Sequence, residues 1–212
     1  MLNILQFSFN LFQERAAIAW REEGRCVAVD PGFYKPEEEK EFLAALQEHG
    51  LKPEAVLLTH AHPDHIYGVK RLQELYGIPV YMHPAEKAVL EYDGEMAARF
   101  RLKAPDCSFK CTDIADGEAV EAAGIRFEVI ATPGHTPGGV CFLDREDGVL
   151  FSGDTLMRGT VGRTDLKGGD WPTLKASIER QILPLADEIE IYPGHGPQSS
   201  VGYERRENPY LK

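Results

Sequence analysis

Three imidazoles and one carboxylate fall within six consecutive positions of the stretch Thr59-His60-Ala61-His62-Pro63-Asp64-His65. An apolar run, Ala55 to Leu58, comes directly before it and predicts a buried strand. His60 and His62 are two positions apart at the end of this strand, so their side chains point the same way. Asp64 and His65 lie beyond the turn at Pro63 and can face a different point. This spacing predicts two neighbouring metal ions on one loop; the alternative is a loop whose histidines only form hydrogen bonds.

The overall composition is that of a soluble globular protein. The chain has 212 residues, of which 43% are hydrophobic and 27% charged, and we expect a single domain over residues 1–212. The net charge of −11 repels polyanions, so a nucleic-acid partner is not expected. A small anion attracted to a local positive centre is compatible with this charge.

Cysteine usage and the amino terminus indicate where the protein works. The four cysteines form no Cys-x-x-Cys pair, which favours free thiols and a reducing compartment. Residues 1–12 are apolar, but polar residues interrupt them and no basic segment precedes them, unlike an export signal. No apolar run is long enough to span a membrane. We therefore predict a cytoplasmic protein without membrane contact, either a monomer or a small homo-oligomer.

The hydrophobic pattern predicts strands and helices in both halves of the chain. In the first half it predicts strands over 2–10, 16–21, 25–29, 55–58 and 79–82, and helices over 36–49, 66–76, 84–92 and 96–102. In the second half it predicts strands over 118–121, 125–131, 139–143, 149–152 and 188–192, a loop over 158–170, and helices over 171–183 and within 203–212.

Three further polar residues follow predicted strands, as the histidine-rich stretch does. His135 lies in a turn rich in Pro and Gly, Asp154 follows the strand at 149–152, and His195 lies in Pro193-Gly194-His195-Gly196-Pro197. Four strand ends thus each present nitrogen or oxygen ligands. His49 and His83 lie at helix ends, where a capping role is favoured over metal binding.

With these motifs in this order, the sequence resembles the metallo-β-lactamase-fold hydrolase superfamily over nearly its whole length. The resemblance implies an α/β fold, an αββα four-layer sandwich of two mixed β-sheets flanked by helices, with the metals in a cleft at one edge. It also implies that one metal is bound by His60, His62 and His135, and the other by Asp64, His65 and His195, with Asp154 bridging both.

The types of ligand atom restrict which metal ions can bind and which substrate charge the pocket can accept. Nitrogen and oxygen donors suit zinc, iron or manganese, and we expect two divalent ions, zinc first among them. Two such ions outweigh the charge of Asp64, Asp154 and a bridging hydroxide, so the pocket is locally positive and should accept an anionic substrate. In β-lactamases of the superfamily a cysteine often stands where Asp154 stands here, so the resemblance favours the short glyoxalase II-type branch.

The predicted reaction is hydrolysis of S-2-hydroxyacyl thioesters, such as S-lactoylglutathione. A metal-bridging hydroxide is the nucleophile, and Asp64 orients it. The loop from Gly162 to Asp170 resembles a segment shared by glyoxalase II enzymes and persulfide dioxygenases. Longer glyoxalase II proteins continue into a helical domain that binds glutathione, whereas this chain ends soon after His195, so its thiol contacts are expected to differ.

Several roles stay open at the level of sequence. Arg163 and Asp165 either support the ligand loops or tie their own loop together, and Arg158 and Lys167 are candidates for binding a substrate carboxylate, although solvated loop charges are favoured. The alternative functions are a mono-iron persulfide dioxygenase, a hydrolase of lactones or other esters, and a metal-binding protein without catalysis.

Overall fold

Six strands from the amino-terminal half form one sheet. The computed structural model describes residues 1–212. The strands lie in chain order across this sheet: β1 (Asn3–Gln6), β2 (Ala17–Trp20), β3 (Arg25–Val29), β4 (Lys52–Leu57), β5 (Val80–Met82) and β6 (Cys111–Asp113). β1 to β3 are antiparallel, whereas β3 to β6 run parallel. The sheet is therefore mixed, and the parallel strands present their carboxyl ends at one edge.

The second sheet also has six strands, and a small hairpin accompanies it. The strands of the sheet are β7 (Ala119–Ala122), β8 (Ile125–Ala131), β9 (Val140–Asp144), β10 (Val149–Gly153), β13 (Glu190–Pro193) and β14 (Ser199–Ser200). The hairpin consists of β11 (Leu156–Met157) and β12 (Thr160–Val161). The order across the sheet is β14-β13-β10-β9-β8-β7. β8 and β10 are both antiparallel to β9, and β13 is parallel to β10. β8, β10 and β13 therefore all end at the same edge.

Seven α-helices connect or flank these strands. They are α1 (Pro36–Glu48), α2 (Pro63–Ile66), α3 (Val69–Tyr76), α4 (Lys87–Leu90), α5 (Asp93–Arg99), α6 (Trp171–Ser177) and α7 (Val201–Glu207). Short 3₁₀ turns cover Pro84–Glu86 and Pro209–Leu211, and a π-helical turn, Ile178–Ile182, continues α6. No helix combines the length and the apolar character needed to cross a membrane.

The alternation of side chains along β4 divides the interior into layers. Val56 and Leu58 pack into a cluster with Phe42 of α1 and Leu72 of α3, on the outer face of the first sheet. Leu57, one position out of phase, packs into a second cluster with inward-facing residues of the second sheet. Successive residues of a strand face opposite sides, so one strand contributes to both layers.

A third cluster covers the outer face of the second sheet, where Leu150 packs with Leu174 of α6 and Val201 of α7. The layers run helix, sheet, sheet, helix, as predicted. Strands buried on both faces read as continuous apolar runs, which is why the run from Ala55 to Leu58 carries no polar residue.

The structure corrects three predicted elements and adds three short strands. The helix predicted over 66–76 is divided at Gly68, and a separate turn of helix, α2, begins at Pro63 and contains Asp64 and His65. The predicted loop over 158–170 contains strand β12 of the hairpin. The helix predicted over 171–183 becomes π-helical at Ile178. β6, β11 and β14, of three, two and two residues, were not predicted because such short segments show no periodicity.

Candidate metal centre

All seven predicted ligand residues meet at one edge of the sandwich. His60 and His62 follow β4, and Asp64 and His65 lie in α2. The other three, His135, Asp154 and His195, follow β8, β10 and β13, the three strands of the second sheet that end at this edge.

Three histidines form the first cluster. His60, His62 and His135 are buried, and one nitrogen from each lies within 4.8 Å of the others. His62 Nδ1 is 2.9 Å from His135 Nε2.

The second cluster combines a carboxylate with two histidines. Asp64 Oδ2 is 3.3 Å from His195 Nε2, which in turn is 3.4 Å from His65 Nε2. Asp154 lies between the clusters: its Oδ1 is 3.6 Å from His65 Nε2, and its Oδ2 is 3.5 Å from His135 Nε2. One carboxylate thus faces donors of both clusters.

These donors fit divalent metal ions. His60 Nε2 and Asp154 Oδ1 are buried and have no hydrogen-bond partner, an unfavourable arrangement unless a cation is bound there. A tetrahedral ion with metal–nitrogen bonds of about 2.0–2.1 Å holds its ligand atoms roughly 3.3 Å apart. The separations of about this size across both clusters therefore match shared metal ligands.

Hydrogen bonds fix which ring nitrogen faces the centre in three of the five histidines. His135 Nδ1 lies 2.7 Å from the Arg163 carbonyl, and His195 Nδ1 lies 3.0 Å from the Phe12 carbonyl. A carbonyl oxygen only accepts, so Nδ1 donates in both, and Nε2 is the nitrogen left to bind a metal in the cluster. His65 Nδ1 likewise lies 3.0 Å from Asp30 Oδ2. Ligand histidines are commonly oriented in this way.

The electrostatics of the two clusters differ. Burial, followed by the neighbouring His135, lowers the pKa of His62 to about 3, and burial also lowers the pKa of His60 and His135. Burial opposes ionisation of Asp64, but His65 and His195 outweigh it and lower its pKa. The first cluster therefore has neutral imidazoles, as metal binding requires. In the second cluster, burial opposes protonation of His65 and His195, but the neighbouring carboxylates outweigh it and raise the pKa of both, so a metal ion that binds there must displace a proton from each.

Asp30 holds a ligand histidine in position but is not itself available to bind a metal ion. Its Oδ1 accepts a hydrogen bond from Thr59 N at 2.8 Å, and its Oδ2 accepts from Thr59 Oγ1 at 2.5 Å and from His65. Asp30, His60 and His65 also have donors within 4.8 Å of one another. Because both oxygens of Asp30 are already occupied, we interpret this group as a support for His65 and not as a third metal site.

Glu86 joins the two loops of the first cluster. Its carboxylate is buried and accepts hydrogen bonds from Ala61 N and Gly138 N, each at 2.7 Å. Ala61 lies between His60 and His62, and Gly138 follows the His135 turn. Sequence reasoning did not find Asp30 or Glu86. The only available signal was the position of Asp30 at the end of a predicted strand; Glu86 lies in a segment predicted as helix and gave none.

Of the four residues predicted to contact substrate or support the loops, one lines the cavity that opens onto the metal centre and three do not. Arg163 lines it, and its guanidinium forms two hydrogen bonds to the Asp165 carboxylate, at 2.7 and 2.8 Å. Arg158 stacks on Tyr203 and donates to the Gln198 carbonyl. Lys167 lies over the Tyr92 ring.

The two other histidines lie outside the centre. His49 packs against Trp20, and His83 Nδ1 accepts a hydrogen bond from Ala85 N at the start of a 3₁₀ turn. The second contact is the capping arrangement that the sequence favoured.

A glycine-to-alanine substitution tests how tightly the donors are packed. A Cβ at Gly194 would overlap Asp154 Oδ1 and approach His65 Cε1 to 2.7 Å. We expect Gly194→Ala to displace these donors, to lower metal affinity and to reduce activity by about 10²-fold, the size of effect that a 1 Å misplacement can cause. Metal content after dialysis and kcat/KM measure this.

Gly94→Ala is the matched control, because a Cβ at Gly94 meets only Ala104, at 3.7 Å. It should retain metal and activity. Equal metal content and activity in the two variants would mean that the Gly194 region does not constrain the donors.

The four-layer fold and the paired His/Asp clusters define a class: metal-dependent proteins of the αββα type, with a centre suited to divalent ions. The chain belongs to the metallo-beta-lactamase superfamily, whose family model matches residues 14–203. It therefore has a metallo-hydrolase fold.

Three relatives are similar over almost their entire lengths. The hydroxyacylglutathione hydrolase GloC of Haemophilus influenzae is 35% identical over 99% of this chain and 98% of its own. The crystal structure of BLEG-1 B3 metallo-beta-lactamase is 34% identical, with a TM-score of 0.90 and 99% of each chain covered. That of TTHA1623 in a di-iron-bound form is 40% identical, with a TM-score of 0.87, covering 98% of this chain and 100% of the other.

Proposed function

We propose that this protein is a two-metal hydrolase of thioesters, with S-2-hydroxyacyl thiols such as S-lactoylglutathione as its reference substrates. The observation that carries the proposal is the position of Asp154, whose two oxygens face His65 of one cluster and His135 of the other. A carboxylate so placed suits two neighbouring cations better than one. The name of the Haemophilus influenzae relative also supports thioester hydrolysis.

The ligand roles follow the two clusters. His60, His62 and His135 would hold one ion, Asp64, His65 and His195 would hold the other, and Asp154 would contact both. When bound, such ions supply a water of lowered pKa as nucleophile and polarise the carbonyl. Zinc is the first candidate, and the di-iron form of a relative makes iron the second.

Residues of the chain supply the orientation. Asp64 lines the cleft as an ionised carboxylate, so it can accept a hydrogen bond from the attacking water and direct its lone pair toward the carbonyl carbon. Arg163 holds His135 through its backbone carbonyl while its side chain is engaged with Asp165. Addition of water and cleavage of the C–S bond yield the carboxylic acid and the thiol.

The decisive experiment measures metal and two activities on one sample. Protein purified without added metal is analysed for its elements and then assayed with S-lactoylglutathione, a lactone and a β-lactam, and separately for oxygen uptake with glutathione persulfide. We expect two metal ions per chain and thioester hydrolysis without oxygen uptake. One iron per chain with oxygen uptake would instead establish a persulfide dioxygenase, and a fully loaded protein inactive on thioesters would refute the proposal.

A further inference from the structure

The cavity that leads to the metal centre is lined mainly by apolar side chains. It has a volume of about 350 Å³ and reaches His62, Asp64, His135, Asp154 and His195 at its inner end. Its other lining residues include six apolar side chains that are only partly buried: Phe12, Met96, Leu102, Met157, Val161 and Leu166. Partly exposed apolar groups gathered in one concave surface indicate a binding site for an apolar group.

Two segments distant in sequence form this wall. Met96, Phe100 and Leu102 come from α5 and the turn that follows it, whereas Met157 and Val161 come from the β11–β12 hairpin. The wall is joined to the metal centre through a third segment: Phe12 packs edge-on against Phe100 at 4.8 Å between ring centroids, and the Phe12 carbonyl accepts the hydrogen bond from His195. A group resting on the wall would therefore lie next to the reacting carbonyl.

The charges along the cavity do not match a glutathionyl group. Glutathione thioesters carry two carboxylates, which are normally bound by lysine or arginine. Arg163 is the only such residue lining the cavity, and its Nε and Nη2 both donate to the Asp165 carboxylate. Lys167 and Arg158, the other sequence candidates, lie against Tyr92 and Tyr203. No lysine or arginine without a carboxylate partner therefore lines the cavity.

We propose that the preferred substrates of this centre are thioesters with an aliphatic or aromatic substituent that occupies the apolar wall, so that they are hydrolysed faster than S-lactoylglutathione. The inference rests on the proposed thioesterase function and narrows its substrate class. Since a water molecule occupies about 30 Å³ in the liquid, the cavity has room for roughly a dozen non-hydrogen atoms. That is enough for the thioester and a medium-length chain.

Two series of substrates test the proposal and distinguish the two sides of the thioester. One series extends the acyl group of N-acetylcysteamine thioesters from acetyl to butyryl and hexanoyl; the other extends the thiol of acetyl thioesters from ethanethiol to hexanethiol. Each buried methylene contributes about 0.8 kcal/mol, so kcat/KM should rise roughly fourfold per methylene in the series whose chain occupies the wall. Values that stay flat in both series, or that remain below the value for S-lactoylglutathione, would overturn the inference.

Two conservative variants connect the effect to the wall. Met96→Gln keeps the side-chain length on α5, and Val161→Thr keeps the shape on the hairpin. Each should reduce the gain between the shortest and the longest chain by about fourfold or more. Leu75→Gln, at an exposed position of α3 outside the cavity, should not change the series. A gain that persists in both wall variants would refute the assignment of the wall.

Binding without turnover separates this inference from the proposed reaction. The S-hexyl thioethers of N-acetylcysteamine and of glutathione cannot be hydrolysed, and calorimetry of both on metal-loaded protein measures the cavity alone. We expect the first to bind at least as tightly as the second, and Met96→Gln to weaken both. If no thioester is hydrolysed but this order holds, the reaction is wrong and the apolar site stands; if thioesters are hydrolysed and glutathione strengthens binding, the apolar site is wrong and the reaction stands.

Discussion

Asp154→Ala is expected to lower kcat/KM for thioester hydrolysis by at least about 10²-fold and to weaken metal binding at both clusters. Removal of a group that only orients a ligand typically costs 10–100-fold in affinity or activity, and the loss of a ligand itself should cost more. Asp154 differs from the other six donors because its two oxygens lie 3.5–3.6 Å from histidines of different clusters. Its loss should therefore reduce the affinity of two ions, not one.

Metal titration of the dialysed protein, followed by calorimetry or by competition with a chelator, measures this outcome. Asp113→Ala is the control, since Asp113 is an exposed aspartate at the end of β6 whose carboxylate pairs only with Lys87. It should bind two ions with unchanged affinity. An Asp154→Ala protein that binds one ion normally would show that the carboxylate belongs to a single site, and would remove the main support for a shared two-metal centre.

The fold could be predicted largely because buried strands and polar strand ends are visible locally. The apolar run from Ala55 to Leu58 and the polar stretch after it determine one strand and its end without reference to the rest of the chain. The same reasoning identified His135, Asp154 and His195, which the structure brings to the same edge. Their assignment as ligands remains a prediction that metal analysis must test.

The residues that were missed act through contacts between distant segments. Glu86 accepts hydrogen bonds from Ala61 and Gly138, 25 and 52 positions away, and no local pattern marks a glutamate for that role. The apolar wall is similar: Met96 and Leu102 resemble ordinary residues of an amphipathic segment, and only the folded structure shows that they stay partly exposed in the cavity. Periodicity predicts which face of a helix is apolar, but it does not predict what packs against that face.

Asp30→Asn is the second substitution with a large expected effect, because it replaces Oδ2, which accepts from His65 and from Thr59 Oγ1, with a donor of nearly the same size. Asp30 Oδ1 accepts from Thr59 N, and the amide oxygen of asparagine can do the same. The amide nitrogen would then face His65 Nδ1, which now donates to Asp30 Oδ2 at 3.0 Å. Two donors cannot pair, so the His65 ring should move its proton to Nε2, the atom that faces Asp64, Asp154 and His195.

A proton on His65 Nε2 removes the lone pair that the second cluster needs. We therefore expect Asp30→Asn to weaken one of the two metal sites by 10–100-fold while the site formed by His60, His62 and His135 changes less.

Nitrogen NMR of the histidine rings reports the tautomer of His65 directly, and metal titration reports the loss of one site. Asp144→Asn is the matched control, since Asp144 is a buried aspartate that pairs with Arg21 away from the centre; it should bind both metals. Unchanged tautomer and unchanged affinity in Asp30→Asn would show that Asp30 only holds the Thr59 turn, whereas loss of both sites together would show that the two clusters are coupled through His65.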